Sequence, residues 1–299
     1  AYAKALELNP GNVEAYNNRG FVNAMLGKTD AALSDFAKAL ELDPKFEKAL
    51  INRADAYSKA GKSQDALNDY EALIKIAKPD AGILVTKAEI LLRLGRTEDA
   101  IRDLNQALTL KPEAIQVIAL RGQALKLAQQ CDKAIADFDT ILKAFPEDAS
   151  TLVDRGQCLL AQKKFKQSIT DLDTAIKMDP KMASAAVLYD LAVAYMSLKS
   201  FEAAADQFSR VITLSPSNGL AVANRGVAYK DMGRLDEAAR DFRHALTLLE
   251  KQSSREYTAN LLSETQSLIK ARKPMTPMQY LIGENVIPDS GLSTDSSYW

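Results

Sequence analysis

One histidine, two cysteines, one tryptophan and a formal net charge of -1 are all that this 299-residue sequence offers to several common chemistries. Cys131 and Cys158 stand far apart in the sequence and His244 is the lone imidazole, so neither a zinc site nor a disulfide framework is expected. No excess of positive charge is present to hold phosphate backbones or anionic lipid, which excludes generic nucleic-acid binding. No apolar run approaches bilayer length and no signal peptide opens the chain, so direct membrane insertion is not expected and a cytoplasmic setting is favoured. Only 13 glycines and 10 prolines occur, against 47% apolar and 26% charged residues, a balance that suits a helix-rich chain with a packed core.

The few prolines are periodic. Pro10 and Pro44 differ by 34 residues, as do Pro112 and Pro146, then Pro146 and Pro180. Small residues keep the step at Gly20, Ala54, Ala88, Gly122 and Gly156 and resume after a two-residue insertion at Ala192 and Gly226, which gives seven full repeats. With that small residue numbered position 8, position 20 is Ala32, Ala66, Ala100, Ala134, Ser168, Ala204 and Ala238. Position 24 is Phe36, Tyr70, Leu104, Phe138, Leu172, Phe208 and Phe242. This pattern resembles the tetratricopeptide repeat, and the resemblance runs from residue 1 to about 250. It implies an all-α fold, a right-handed superhelical solenoid of antiparallel helix pairs, whose concave groove binds peptide segments of other proteins.

Positions 4, 8 and 11 fall on one helix face, and positions 20, 24, 27 and 28 on another, so each repeat reads as a helical hairpin. The small residue at position 8 is expected to lie opposite the alanine at position 20. Between the helices, Gly27-Lys28-Thr29, Gly61-Lys62-Ser63 and Gly95-Arg96-Thr97 place a glycine to end one helix and a hydroxyl to cap the next. A phosphate loop is excluded, because its earlier glycine is replaced by Val22 and Ala56.

Position 7 is basic in six repeats (Arg19, Arg53, Lys87, Arg121, Arg155, Arg225) although it borders the packed face. Position 23 is aspartate in the same six (Asp35, Asp69, Asp103, Asp137, Asp171, Asp241), and the sixth repeat replaces both, with Leu191 and Gln207. Joint loss predicts pairing within a repeat. These charges therefore belong to the fold rather than to a ligand site.

The chain opens inside a second helix, since Tyr2 falls at position 24 and Pro10 at position 32, and this reads as a fragment of a longer protein. The expected organisation is a remnant second helix over 1–10, seven repeats over 11–250, a cap helix over 251–273 and a nonhelical tail over 274–299. Ser253 to Glu256 has the spacing of a capping box ahead of Tyr257, Leu261, Leu262, Leu268 and Ile269.

Positions 2, 5, 6, 9, 12 and 13 of the first helices are expected to line the groove. The candidate peptide-binding residues are Asn17, Asn18, Phe21, Lys48, Asn52, Asp55, Lys59, Asp154, Tyr189, Met196, Asn224 and Val227. Asparagine at position 6 recurs at Asn18, Asn52 and Asn224, and an amide both donates to and accepts from a peptide backbone. Position 5 holds no lysine, so the family's clamp for a terminal carboxylate is missing. Toward the carboxyl end the lining becomes apolar, which favours an amphipathic or hydrophobic segment. The tail's own apolar residues, among them Met275, Tyr280, Ile287 and Trp299, make it a candidate ligand of the same groove. No carboxylate, cysteine or serine cluster accompanies His244, so neither catalysis nor a cofactor is expected. The function read from the sequence is a protein-interaction scaffold, the alternative being the recruitment arm of a larger enzyme or secretion assembly.

Overall fold

The computed structural model describes residues 2–271, and among them every regular element is helical. The expected tail over 274–299 lies outside the described residues. A short α1 (Tyr2–Leu8) precedes seven helix pairs. These are α2 (Val13–Met25) with α3 (Thr29–Leu42), α4 (Glu47–Lys59) with α5 (Ser63–Ile76), and α6 (Ala81–Arg93) with α7 (Thr97–Leu110). Then come α8 (Ile115–Leu127) with α9 (Cys131–Ala144), α10 (Ala149–Ala161) with α11 (Phe165–Met178), α12 (Ala185–Ser197) with α13 (Phe201–Leu214), and α14 (Gly219–Asp231) with α15 (Leu235–Leu248). A last helix, α16, spans Gln252–Ala271. In every pair the first helix fills positions 1 to 13 and the second fills positions 17 to 30. The described residues divide into two compact units, 2–182 with α1 to α11 and 183–271 with α12 to α16.

The turn that makes each hairpin is fixed at position 15, which is left-handed in all seven pairs, with φ between 58° and 77°. Glycine supplies it at Gly27, Gly61, Gly95 and Gly233, whereas Gln129, Lys163 and Lys199 adopt it with a side chain, at a cost of about 1 to 2 kcal/mol each. The reward is a Schellman closure: Lys28 N–H bonds to the Asn23 carbonyl at 2.9 Å and Gly27 N–H to the Ala24 carbonyl at 3.1 Å, and the other pairs repeat it. The hydroxyls do not cap, contrary to expectation. Thr29, Ser63 and Thr97 are already the first helical residues, and Lys28, Lys62 and Arg96 occupy the cap position without a side-chain cap bond. Side-chain caps open five of the first helices instead, α2, α6, α10, α12 and α14, as where Asn12 accepts from Ala15 N–H at 2.9 Å.

The approach of the two helices is read best at the glycines. A Cβ on Gly122 would stand 2.8 Å from the Phe138 ring, and one on Gly226 would stand 2.8 Å from Phe242. Position 8 is therefore small chiefly to admit the position 24 side chain. The fifth pair shows that position 20 faces it as well, because Ser168 Oγ donates to the Gly156 carbonyl at 2.7 Å. Within the first unit one continuous core runs from Ala39 to Cys158, and in the second Val222, Ala223, Ala245 and Leu249 pack together. The capping box expected at Ser253 does not form, since α16 begins one residue earlier, at Gln252. Arg255 instead donates to the Leu246 and Leu249 carbonyls at 2.9 and 3.0 Å, covering the open end of α15.

All six position 7 cations meet the aspartate of their own pair. Arg121 Nε and Nη2 grip Asp137 at 2.9 and 2.6 Å, and Arg19, Arg53, Arg155 and Arg225 do likewise with Asp35, Asp69, Asp171 and Asp241. Tyr16, Tyr57 and Tyr229 lend ring faces to Arg19, Arg53 and Arg225, 5.6 to 5.9 Å from the guanidinium carbon. The arginines also reach backward, which pairing within a repeat did not foresee. Arg121 Nη1 donates to Asn105 at 2.9 Å, Arg155 Nη1 to Asp139 at 2.7 Å and Arg225 Nη1 to Ser209 at 3.1 Å, each at position 25 of the preceding pair.

Lysine cannot make this bridge. Lys87 Nζ lies 3.2 Å from Oδ1 and 2.9 Å from Oδ2 of Asp103, and Oδ2 takes no well-directed hydrogen bond. The guanidinium fork fits the carboxylate with two parallel donors. Lys87→Arg is thus expected to stabilise the third pair by roughly 0.5 to 1.5 kcal/mol, the net worth of a typical added bond. A raised thermal midpoint checks this; a lowered one would mean that the longer side chain does not fit there.

Candidate functional site

The twelve expected groove residues all lie on first helices, but the structure gathers them in groups and not as one site. Asn17, Asn18 and Phe21 on α2 stand beside Lys48, Asn52, Asp55 and Lys59 on α4. Tyr189 and Met196 lie on α12 and Asn224 and Val227 on α14, with Asn224 meeting Tyr189, and Asp154 lies on α10.

Several of these side chains are already engaged. Asn17 is 4% exposed: it accepts from Asn52 Nδ2 at 2.8 Å and donates to Asn18 at 3.2 Å. The same joint recurs 35 residues apart in the second unit, where Asn224 Nδ2 donates to Tyr189 Oη at 2.7 Å. Position 5 is the seam between neighbouring first helices, and the asparagine at position 6 closes it from the next pair. The amides of Asn52 and Asn224 are therefore partly structural. Tyr189 is half-buried, with its ring edge-on to Phe208 at 5.5 Å, and burial raises its phenol above the ordinary range. Asp55 accepts from Tyr70 Oη at 2.7 Å; burial, then this bond, hold the Tyr70 proton well above its usual range. Asp154 is paired with Lys126, which also bonds Gln157 at 2.7 Å. Met196 and Val227 are half-buried.

What remains open to a ligand is concentrated on α2 and α4. Asn18, Lys48 and Lys59 are exposed, and Phe21 is 50% exposed although its side chain is aromatic. Met25, one turn beyond Phe21, is 71% exposed. The sequence reading did not single it out. The signal was available, because position 13 follows position 9 by one helical turn and is exposed in all seven pairs. Leu127 and Leu220 are likewise exposed, at positions 13 and 2. Asp35 and Asp69, the buried acids of these two pairs, are committed to Arg19 and Arg53, so nearby positive charge on Lys48 and Lys59 is left to face solvent. The surface thus offers apolar contact at Phe21 and Met25, an amide at Asn18 and two ammonium groups.

No group of three or more histidine, cysteine or carboxylate side chains gathers to hold a metal among the described residues. His244 is an exposed residue of α15, not of a first helix. No described helix is long and apolar enough to cross a membrane.

Family models described as tetratricopeptide repeat match residues 13–46, 51–115, 120–183, 160–219 and 221–251. No curated protein matches the sequence. Among solved structures, the C-terminal part of a TPR repeat-containing protein from Cytophaga hutchinsonii aligns with a TM-score of 0.63, covering 81% of this chain and 98% of its own at 14% identity. A tetratricopeptide repeat protein from Parabacteroides merdae aligns with a TM-score of 0.57, covering 85% of this chain and 98% of its own at 21% identity. MamA from Desulfovibrio magneticus gives 0.52 over 57% of this chain and 96% of its own at 20% identity. At such identities the likeness speaks for the fold alone.

Proposed function

Since the chain belongs to the tetratricopeptide-repeat family, we propose that it is a non-catalytic protein-interaction scaffold that holds an extended peptide segment of a partner against its first helices. The observation that carries this reading is the exposure of Asn18, Phe21 and Met25 on α2 and of Lys48 and Lys59 on α4, the first helix of the next pair. An apolar ligand side chain covers Phe21 and Met25, acidic residues meet the two lysines, and the Asn18 amide bonds the ligand backbone. α16 serves as the cap of the last pair, with Lys230 and Glu264 joined at 2.8 Å and Thr258 and Thr265 buried. The reading is the same whether the array acts alone or as the recruitment arm of a larger assembly.

Peptides selected on the full chain from a random display library test it. Phe21→Ala is expected to weaken the selected peptides about tenfold, as loss of an anchoring aromatic does, without changing helical circular dichroism. Lys48→Glu with Lys59→Glu should select against acidic peptides. Undiminished binding to both variants, or binding abolished by Arg102→Glu on the second-helix side, would overturn the assignment.

A further inference from the structure

The two cysteines that the sequence sets 27 residues apart are brought together by the repeat. Cys131 is the first residue of α9 and half-buried, and Cys158 is a buried residue of α10 in the next pair. Position 10, where Cys158 sits, is buried wherever a full pair precedes it, at Ala56, Ile90, Ala124, Ala194 and Ala228, whereas Val22 of the first pair is exposed. Position 17 of one pair and position 10 of the next therefore share a seam. Both thiols line one open cleft of about 510 Å³, together with Lys126, Gln129, Gln157 and Gln162. Burial, followed by hydrogen bonding to Cys131, keeps the Cys158 proton on its sulfur well above the ordinary thiol range. Lys126 holds Asp154 and Gln157, and the Gln162 amide nitrogen donates to Asp132 at 2.7 Å while its buried oxygen takes no hydrogen bond. The two thiols share this cleft.

The geometry points to an oxidisable dithiol at which a peroxide converts Cys131 and Cys158 into a disulfide that staples α9 to α10. Cys131, the more accessible sulfur, attacks one peroxide oxygen after losing its proton. The O–O bond breaks, the second oxygen leaves as hydroxide and takes up that proton, and Cys131 becomes a sulfenic acid. The Cys158 sulfur then attacks Sγ of Cys131; the S–O bond breaks, and the departing hydroxide carries off the Cys158 proton as water. Two thiols and one peroxide give one disulfide and two waters. An external dithiol returns both sulfurs to the reduced state by exchange. The product adds a covalent cross-link between two pairs that the reduced protein joins by the short connection over 145–148 and by non-covalent contacts.

The test uses the full chain, which has no other cysteine. Graded hydrogen peroxide should remove both thiols together, lower the mass by two hydrogens, leave the chain monomeric on a non-reducing gel, and join the Cys131 and Cys158 peptides in a map that dithiothreitol undoes. In Cys158→Ala, whose new residue matches Ala124 and Ala194, Cys131 should accumulate as sulfenic acid trapped by dimedone. In Cys131→Ala the buried Cys158 should resist peroxide. Oxygen uptake by each cysteine without cross-linking, a cross-link between chains, or equal dimedone labelling of wild type and Cys158→Ala would each overturn the proposal.

Discussion

Truncation of Phe138 to alanine is expected to cost the fourth helix pair about 3 to 5 kcal/mol, the usual penalty for emptying a buried aromatic site. The ring is 1% exposed and fills the space that Gly122 leaves open, with its edge 2.8 Å from where a Cβ would lie. Nothing nearby can expand into the void. Gly122 has no side chain, and Ala134 on the same face is completely buried and too short to reach. Contacts in a repeat array are local, so the loss should appear as easier opening of α8 and α9 and their immediate neighbours. Native-state hydrogen exchange measures this directly. Amides of α8 and α9 should lose protection, whereas those of α14 and α15 should not, and a uniform loss across all pairs would contradict the local packing described for Phe138.

Asp137→Ala should cost about 2 to 3 kcal/mol, somewhat below the range for breaking a fully buried pair, because its partner keeps some water. The Asp137 side chain is 7% exposed and that of Arg121 is 26% exposed. Removing the carboxylate leaves the guanidinium with Asn105 alone, and a neutral amide oxygen cannot replace a bidentate anion. The sixth pair shows the apolar solution to the same space: Leu191 is fully buried there, and Gln207 turns to Arg210 at 2.7 Å. Arg121→Leu combined with Asp137→Gln should therefore recover most of the loss, short of the bond to Asn105. Thermal midpoints of the two singles and the double decide the matter. A double that melts at the sum of the singles would mean that the two charges do not depend on each other.

Most of the fold was legible because one unit is written seven times. A shared frame averages out local irregularities, so even the pair without glycine at Gln129 folds where Gly27 predicts. The ion pairs were legible for a different reason, since Leu191 and Gln207 replace both members at once. The backward bonds were hidden because position 25 varies: Ala37 cannot accept a hydrogen bond, whereas Asn105, Asp139 and Ser209 do so through three different groups. The site was less legible than the fold. A helical wheel places Asn17 and Asn18 on adjoining parts of one face, but the seam between α2 and α4 falls between them, burying one and exposing the other. The meeting of Cys131 and Cys158 was obscured by counting along the chain; in the repeat frame, position 17 and the next position 10 are neighbours.

The bonds that join one pair to the next also determine which edge of the stack resists parting. In the first unit, Asn52 to Asn17 and Arg93 to Ser58 fasten pairs one to two and two to three through their first helices, on the side offered to a ligand. Between pairs three and four the fastenings described, Arg121 to Asn105 and Gln130 to Glu98, lie away from that side. A book stitched along one edge opens along the other. Bending that spreads the first helices therefore strains the polar bonds of the early pairs, yet meets none of these between the third and fourth. The fourth and fifth pairs are stitched along both edges, by Lys126 to Asp154 and by Arg155 to Asp139, so parting them on either edge strains an ion pair.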